Sequence, residues 1–312
     1  MRFFSSSFRA FCSFAFFAAA LAAPQTTSPP SAAFPEVPPF HLPSGVAVEH
    51  DVIYARYGTR ELHVDFYHPA EGQGLFPGVV FMHGGGWSGG TPMQFRREAA
   101  YLASRGFAAA TIEYRLSTEA KYPAAIYDGK AAVRWMRENA KKYSIDSEKI
   151  AAVGGSAGGH LAAMLGTTNG IQRFEGGGGH ANYSSSVQAV VAFNGVYDLV
   201  TSLEKPGKSS PELLLSRFLG GRLEEVPEQY VDASPVAHVC KDSAPFLLLH
   251  GTGDTVVRYQ QALEMREALE GVGVRAELYT AKDANHGFFN SPPYYQPTLE
   301  RMAQFLRSVF GK

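Results

Sequence analysis

The chain is 312 residues long, with 28 basic and 29 acidic residues and a formal net charge of −1. This balance offers no basic face, so neither nucleic acid nor an anionic membrane is expected as a partner. Hydrophobic residues make up 45% of the chain, which is enough to bury the core of one large α/β domain or of two small domains.

The first 22 residues have the pattern of a secretory signal peptide. Arg2 and Arg9 precede an apolar run from Ala10 to Ala23, and Ala20-Leu21-Ala22 offers a cleavage site between small residues. A membrane anchor needs about 20 uninterrupted apolar residues, and this run is shorter. We therefore expect a secreted or periplasmic protein that is not inserted in a membrane after cleavage.

The residues that follow divide into a linker and one domain. Residues 23–43 contain many prolines separated by Ser, Thr and Ala, a composition typical of a linker. Residues 44–312 are predicted to form a single domain. Cys12 lies in the predicted signal peptide, so Cys240 is left alone and no internal disulfide is expected.

Short apolar runs alternate with helical patterns along most of this domain. An antiparallel hairpin is predicted first, with two strands between Val46 and Phe66. Further strands are predicted at 78–82, 107–114, 150–153, 187–193, 246–250 and 275–280, and helices at 124–139, 161–165, 259–270 and 298–310. This alternation predicts an α/β fold with a mostly parallel sheet and helices on both faces. Residues 199–241 break the pattern and indicate a small insertion that could cover a site.

A candidate nucleophile follows the apolar run Ile150–Val153. Residues 154–158 read Gly-Gly-Ser-Ala-Gly and fit the G-x-S-x-G pattern, in which the serine occupies a strained turn between a strand and a helix. Small residues flank Ser156 because such a turn brings backbone close to backbone. The alternative is a glycine-rich turn with an incidental serine.

The candidate acid and base follow two later strands. Asp254 lies in HGTGDTVV and His286 in ANHGFF, both just beyond buried strands, where an open α/β sheet places ligands. The chain order Ser, Asp, His is the order found in α/β-hydrolases. Asp254 could instead cap a turn, which would leave Asp198 as a substitute acid, and His286 could be a loop histidine with a structural hydrogen bond.

The stretch His83-Gly84-Gly85-Gly86-Trp87 is the candidate oxyanion hole. Glycine allows backbone N–H groups to point into a site without obstruction, so Gly85, Gly86 and Ala157 are the predicted donors. Trp87 is predicted to border the substrate pocket, although a packing role is the alternative.

Cofactors and metals are not expected. The motif Gly84-x-Gly86-x-x-Gly89, with Glu113 after the next strand, matches a dinucleotide fingerprint. Pro92 interrupts the expected entry into a helix, and two strands precede the motif, so this oxidoreductase reading is the weaker one. There is no HExxH motif, and His63 and His68 have no third ligand in view.

Taken together, these motifs resemble the α/β-hydrolases of the hormone-sensitive-lipase-like and BD-FAE-like esterase group. The resemblance covers roughly Val46 to Phe310 and rests on HGGGWSGG, EYRLS, YPAAIYDGKAAVRWMRENA, KIAAVGGSAGGHLAAMLG, HGTGDTVV and ANHGF. It implies an α/β-hydrolase fold and a carboxylesterase activity. It also implies a nucleophile, an acid, a base and three oxyanion donors, which are Ser156, Asp254, His286, Gly85, Gly86 and Ala157.

Two departures point to one branch of that group. Gly155 stands where the lipase branch usually has Asp, and HGTGD replaces its DPLxD motif. Both favour the BD-FAE-like branch, whose members are similar to acetyl and feruloyl esterases acting on plant polysaccharides. The expected substrate is therefore a small ester or an esterified carbohydrate. Phe288, with the aromatic residues near it, is predicted to line a cleft for an aromatic acyl group, and packing against the last helix is the alternative for these residues. A peptidase or amidase of the same fold, or a non-catalytic carbohydrate-binding relative, are the alternatives.

Overall fold

The computed structural model describes residues 39–72, 74–203 and 211–311. The predicted signal peptide and residues 23–38 of the predicted linker lie outside the described residues. Within the described ranges, no helix combines the length and the apolar character that a membrane span requires.

The described residues form a mixed sheet in the spatial order β1-β2-β4-β3-β5-β6-β7-β8. The strands are β1 Val46–Tyr57, β2 Arg60–Pro69, β3 Phe76–Met82, β4 Ala108–Ile112, β5 Ile145–Gly155, β6 Ala189–Phe193, β7 Phe246–Gly251 and β8 Ala276–Ala281. β2 pairs antiparallel with β1 and with β4, and every later pairing is parallel. The predicted hairpin and the mostly parallel sheet are both confirmed.

Helices cover both faces of this sheet, as predicted. They are α1 Arg96–Ala103, α2 Ala124–Glu138, α3 Ala140–Tyr143, α4 Ala157–Thr167, α5 Pro211–Leu219, α6 Pro227–Asp232, α7 Gln260–Gly271 and α8 Tyr295–Phe310. Short 3₁₀ turns lie at Pro92–Phe95, Gln172–Phe174, Thr201–Leu203, Pro235–His238 and Phe288–Asn290. Buried side chains of α2, α4 and α7 share one hydrophobic core, whereas those of α1 and α8 share the other.

The strand β5 separates the two cores and leads into the turn that carries Ser156, the candidate nucleophile. Ile150 and Ala152 belong to one core, and Ala151 and Val153 belong to the other, because successive side chains of a strand point to opposite faces. All four are completely buried. A strand that is buried on both faces explains the continuous apolar run in the sequence.

The insertion contains α5, α6 and two of the short turns, so the predicted break of the strand–helix alternation in residues 199–241 is confirmed. Phe218 of α5 and Tyr230 of α6 are buried in the same core as α2, α4 and α7. The described part of the insertion is therefore packed on the domain and is not a separate unit.

An acidic side chain is buried on the other face. Glu98 of α1 is 3% exposed, and its Oε2 atom has no hydrogen-bond partner in the described part of the chain. Burial raises the pKa of the Glu98 carboxyl to about 7, because a low-dielectric environment disfavours the charged form.

Glu98 should therefore make folding stability depend on pH. A folded-state pKa near 7 lies above the ordinary value, so the folded protein holds a proton that the unfolded chain releases, and stability falls as pH rises through that window. Relative to Glu98→Gln, the wild-type protein should lose on the order of 3 kcal/mol of unfolding free energy between about pH 4 and about pH 8. Urea unfolding at a series of pH values measures this difference.

Glu267→Gln is the matched control, because Glu267 is an exposed residue of α7. Its stability profile should follow that of the wild type. Parallel profiles for Glu98→Gln and the wild type would show that Glu98 does not titrate in this range.

Candidate active site

The candidate nucleophile lies in a strained turn between β5 and α4. Ser156 has φ 55° and ψ −120°, a backbone conformation that non-glycine residues rarely adopt and that the surrounding structure must hold in place. Its N–H donates to the Phe193 carbonyl at 2.9 Å, and its own carbonyl accepts from the His160 N–H at 3.0 Å. The turn is thereby tied both to β6 and to the first turn of α4.

The glycines beside this turn are required by close backbone contacts. A Cβ at Gly154 would lie 2.2 Å from the Gly158 carbonyl oxygen, and a Cβ at Gly158 would lie 2.0 Å from the Met82 carbonyl oxygen. Neither contact is possible for real atoms, so only glycine fits at the two positions. The structure therefore shows the close approach of backbone to backbone that the small residues beside Ser156 predicted.

The structure brings the candidate nucleophile, base and acid into one hydrogen-bonded row. His286 Nε2 lies 2.9 Å from Ser156 Oγ, and His286 Nδ1 lies 2.7 Å from Asp254 Oδ2. A carboxylate can only accept, so Nδ1 carries the ring proton and Nε2 is free to accept the serine hydroxyl proton. This arrangement can activate a serine hydroxyl as a nucleophile.

Asp254 also serves as a turn cap. Its Oδ1 accepts from the backbone N–H groups of Val256 and Val257 at 2.8 and 2.9 Å, while its Oδ2 faces His286. The two roles considered for Asp254 are thus carried by its two oxygens. Asp198, the substitute acid, caps a different turn through Val200 and Thr201.

The charge of Asp254 is maintained although its side chain is completely buried. Burial by itself would raise the pKa of the Asp254 carboxyl, but hydrogen bonds from His250, His286 and the Val257 N–H outweigh burial and hold the pKa well below its usual range. His250 Nε2 lies 3.2 Å from Asp254 Oδ2 and 2.9 Å from the Val257 carbonyl oxygen. Both neighbours are acceptors, so Nε2 is the protonated nitrogen of His250.

The predicted oxyanion donors lie around the same serine. Gly85 and Gly86 have φ values of 116° and 58°, which glycine adopts without strain. In the described residues, no hydrogen bond uses the N–H groups of Gly85, Gly86 or Ala157. The Gly84 N–H, in contrast, donates to Gln94 Oε1 at 2.9 Å. The loop therefore presents free donors at the positions chosen from the sequence.

Trp87 both borders the site and packs in the core. Trp87 is 4% exposed, and its ring stacks on Phe218 of α5 with a centroid separation of 4.6 Å. Its Nε1–H donates to His160 Nδ1 at 3.1 Å, and His160 Nε2 donates to the Ala233 carbonyl at 2.7 Å. Burial lowers the pKa of His160 to about 4, so the imidazole ring stays neutral at neutral pH and its Nδ1 can accept the hydrogen bond from the indole N–H.

Two cavities meet at Ser156. The small cavity is bordered by Trp87 and Ala157 and has a volume of about 60 Å³. The large cleft is bordered by His286 and has a volume of about 590 Å³. Gly86, Ser156, Leu214 and Val256 line both.

The placement of Phe288 differs from the prediction. Phe288 is 3% exposed and packs edge-on against Phe289 and Tyr294, whereas Phe289 lines the large cleft. The 3₁₀ turn Phe288–Asn290 directs neighbouring side chains apart, so only one of the two phenylalanines reaches the cleft. The aromatic wall predicted for Phe288 belongs to Phe289.

Asn194 is a site residue that the sequence reasoning missed. It directly follows β6, is 1% exposed, and places its Nδ2 atom 3.0 Å from both ring nitrogens of His286. An atom equidistant from both nitrogens is not in line with either lone pair, so the amide packs against the ring instead of bonding one nitrogen. A polar residue at the carboxyl end of a buried strand was the available signal.

Within the described ranges, no group of three or more His, Cys, Asp or Glu side chains is placed to hold a metal ion. His63 faces Glu113 at 3.3 Å, and His68 Nδ1 is 2.9 Å from the Pro69 carbonyl oxygen. Both histidines have protein partners.

Comparison with known proteins gives a consistent group of relatives. Residues 64–269 match the model of the family described as BD-FAE. The probable carboxylic ester hydrolase LipM of Mycobacterium tuberculosis is 34% identical over 233 residues, which make up 73% of this chain and 53% of LipM. The chain thus spans about half the length of that relative.

Solved structures match over most of the described domain. A structure described as a truncated form of carbohydrate esterase from gut microbiota has a TM-score of 0.76 at 30% identity, covering 85% of this chain and 97% of the other. The butyrate-bound esterase Est2 of Thermogutta terrifontis has a TM-score of 0.72 at 32% identity, covering 85% of this chain and 95% of the other.

The hydrogen bond from His250 to Asp254 should increase the reactivity of Ser156, because Asp254 orients His286. His250→Asn removes the donor to Asp254 Oδ2, because the shorter amide cannot reach the position of Nε2. A hydrogen bond to a charged group contributes about 1.5 to 3 kcal/mol, so the reaction of Ser156 with paraoxon should slow about tenfold to a hundredfold. Mass spectrometry of the phosphorylated serine over time measures this rate.

His250→Gln is the matched control, since its amide nitrogen can take the place of Nε2 and restore the bond. Equal labelling rates for both variants, with equal melting temperatures, would show that the contact from His250 to Asp254 does not support the nucleophile.

Proposed function

Because the chain belongs to the BD-FAE family of α/β-hydrolase esterases, we propose that it hydrolyses carboxylic esters through an acyl-enzyme formed on Ser156. The observation that carries this proposal is the unbroken row of hydrogen bonds from Asp254 through His286 to Ser156, with distances of 2.7 and 2.9 Å. These separations are within the range at which proton transfer between a nucleophile and its base takes place.

Acylation begins with the transfer of the Ser156 hydroxyl proton to His286 Nε2. The Ser156 oxygen attacks the ester carbonyl, and the N–H groups of Gly85, Gly86 and Ala157 bind the oxygen on which negative charge develops. Asp254 stabilises the positively charged imidazole through Nδ1. His286 then gives its proton to the alcohol oxygen as the carbon–oxygen bond of the ester breaks.

Deacylation repeats this sequence with water as the nucleophile. His286 takes a proton from the water molecule, whose oxygen attacks the acyl carbon bound to Ser156. The same three N–H groups bind the second oxyanion. His286 returns the proton to Ser156 Oγ, and the carboxylic acid leaves. The low pKa of Asp254 keeps the supporting carboxylate charged throughout the neutral range.

The substrate proposed for this chemistry is an esterified carbohydrate, carrying acetyl or feruloyl esters as in plant polysaccharides. Two features support it. A relative of known structure is described as a carbohydrate esterase, and the large cleft beside His286 has space for a bulky alcohol. The N-terminal pattern of residues 1–22 supports a secreted or periplasmic location, where such polymers are met.

Ser156→Ala should abolish ester hydrolysis. Loss of a triad nucleophile lowers kcat by about ten-thousandfold or more, since the remaining groups cannot form the acyl-enzyme. The measurement is hydrolysis of p-nitrophenyl acetate, followed by acetate release from acetylated xylan and by cleavage of methyl ferulate.

Ser104→Ala, at an exposed position after α1, is the control and should match the wild type. Wild-type rates in Ser156→Ala would exclude Ser156 as the nucleophile. A wild-type protein inert toward all three esters but active on aminoacyl p-nitroanilides would replace the esterase proposal with a peptidase.

A further inference from the structure

We infer that the small cavity holds the acyl group and the large cleft holds the alcohol, so that the acyl group is limited to about two to four carbons by a wall that includes Leu214. The inference rests on the proposed function and narrows its substrate class. It favours acetyl over feruloyl esters.

The position of His286 determines which of the two spaces holds the alcohol and which holds the acyl group. The alcohol oxygen must lie within hydrogen-bond reach of His286 Nε2, because it receives its proton from that atom. His286 lines the large cleft and does not line the small cavity. The alcohol therefore leaves through the cleft, and the acyl group, on the other side of the reacting carbon, points into the small cavity.

The lining of the small cavity suits an apolar acyl group. Its wall includes Trp87, Val196, Leu215 and Val257. Its glutamine, Gln261, uses both amide atoms within the protein, since Oε1 accepts from two backbone N–H groups and Nε2 donates to Asp198 and Thr201. Ser202 and Arg258 also border the cavity, and they donate to the backbone carbonyls of Leu199 and Thr201, while Arg258 Nε has no partner among the described residues. Apart from Ser156, the other side chains of the lining are apolar, so a short alkyl chain would meet mainly apolar surface.

The volume of the small cavity decides between acetyl and feruloyl. The volume of about 60 Å³ is less than half that of an apolar protein cavity of about 150 Å³ that holds one benzene molecule. An acetyl, propionyl or butyryl chain fits in this space. A feruloyl group, which carries a substituted benzene ring beyond its double bond, is far too large. The relative with bound butyrate is consistent with this size limit.

The outer wall of the small cavity comes from the insertion and the acid loop. Leu214 of α5 and Val256 line both the cavity and the cleft, so their side chains stand between the two. The Cδ atoms of Leu214 lie 3.0 and 3.1 Å from the position that a Cβ on Gly86 would take. Leu214 therefore closes directly over the oxyanion loop, and removing its side chain would join the cavity to the cleft.

A chain-length series tests this wall. The wild type should cleave p-nitrophenyl acetate and butyrate and lose activity steeply for hexanoate and octanoate. Leu214→Ala should raise the octanoate-to-acetate ratio of kcat/KM about tenfold or more, since steric discrimination in an apolar pocket is of this order. Leu213→Ala is the matched control on the same helix, because Leu213 is 58% exposed and lines neither space.

A second variant tests the size limit by reducing the volume of the small cavity. Val196 lines the small cavity and not the cleft, so Val196→Phe should lower the butyrate-to-acetate ratio about tenfold. Melting temperatures and labelling of Ser156 by paraoxon show that each variant is folded and has an active nucleophile. If Leu214→Ala does not fold, the result with Val196→Phe decides.

Different results would contradict ester hydrolysis by Ser156 and the size limit on the acyl group. A wild-type protein that hydrolyses no ester and is not labelled by paraoxon contradicts the proposed function itself. A wild-type esterase that cleaves methyl ferulate as fast as methyl acetate overturns only the inference. Chain-length profiles that are the same in the wild type, Leu214→Ala and Val196→Phe also overturn it.

Discussion

The structure of the site depends on one close approach between backbones. The first turn of α4 crosses the end of β3 so tightly that Gly158 leaves no room for a Cβ beside the Met82 carbonyl. This contact keeps Ser156 in its strained conformation, since the turn cannot relax without moving two central strands. It also brings the start of α4 beside the loop that follows β3. The N–H groups proposed as oxyanion donors in that loop therefore lie next to Ser156 because of the same packing.

A second constraint is the negative charge of Asp254, which lies on the far side of His286 from Ser156. Asp254 is buried, yet its hydrogen bonds from two histidines and two backbone N–H groups keep it charged. A buried carboxylate without such partners would take up a proton. The acid loop thus supplies a fixed negative charge that orients His286, while Asn194 packs against the same ring from the end of β6. His286 is held by neighbours from two elements.

Much of this could be predicted because each part has a local cause. Ser156 and Asp254 follow buried strands, whereas His286 follows β8, a partly exposed edge strand and not the buried strand expected from the sequence. Parallel strands bring all three carboxyl ends to one edge of the sheet. Phe288 and Phe289 could not be distinguished, because the orientation of side chains in a 3₁₀ turn depends on packing against α8. The start of α4 at Ala157 was also missed, since Gly158 and Gly159 are poor helix formers and the close crossing overrides that preference. Leu214 gave no signal, because its contact with Gly86 joins residues far apart in the chain.

The contacts of Trp87 limit how segments could be exchanged between this chain and its relatives. Trp87 belongs to the loop after β3, His160 to α4, and Phe218 and Ala233 to the insertion. They contact one another in the order Phe218, Trp87, His160, Ala233. The insertion is therefore not an independent module that can be grafted onto another scaffold. A chimera that exchanged residues 211–239 alone would keep these contacts only if the new segment placed an aromatic ring at the position of Phe218 and a backbone carbonyl at the position of the Ala233 carbonyl. An exchange between relatives should therefore transfer the loop after β3, α4 and the insertion together.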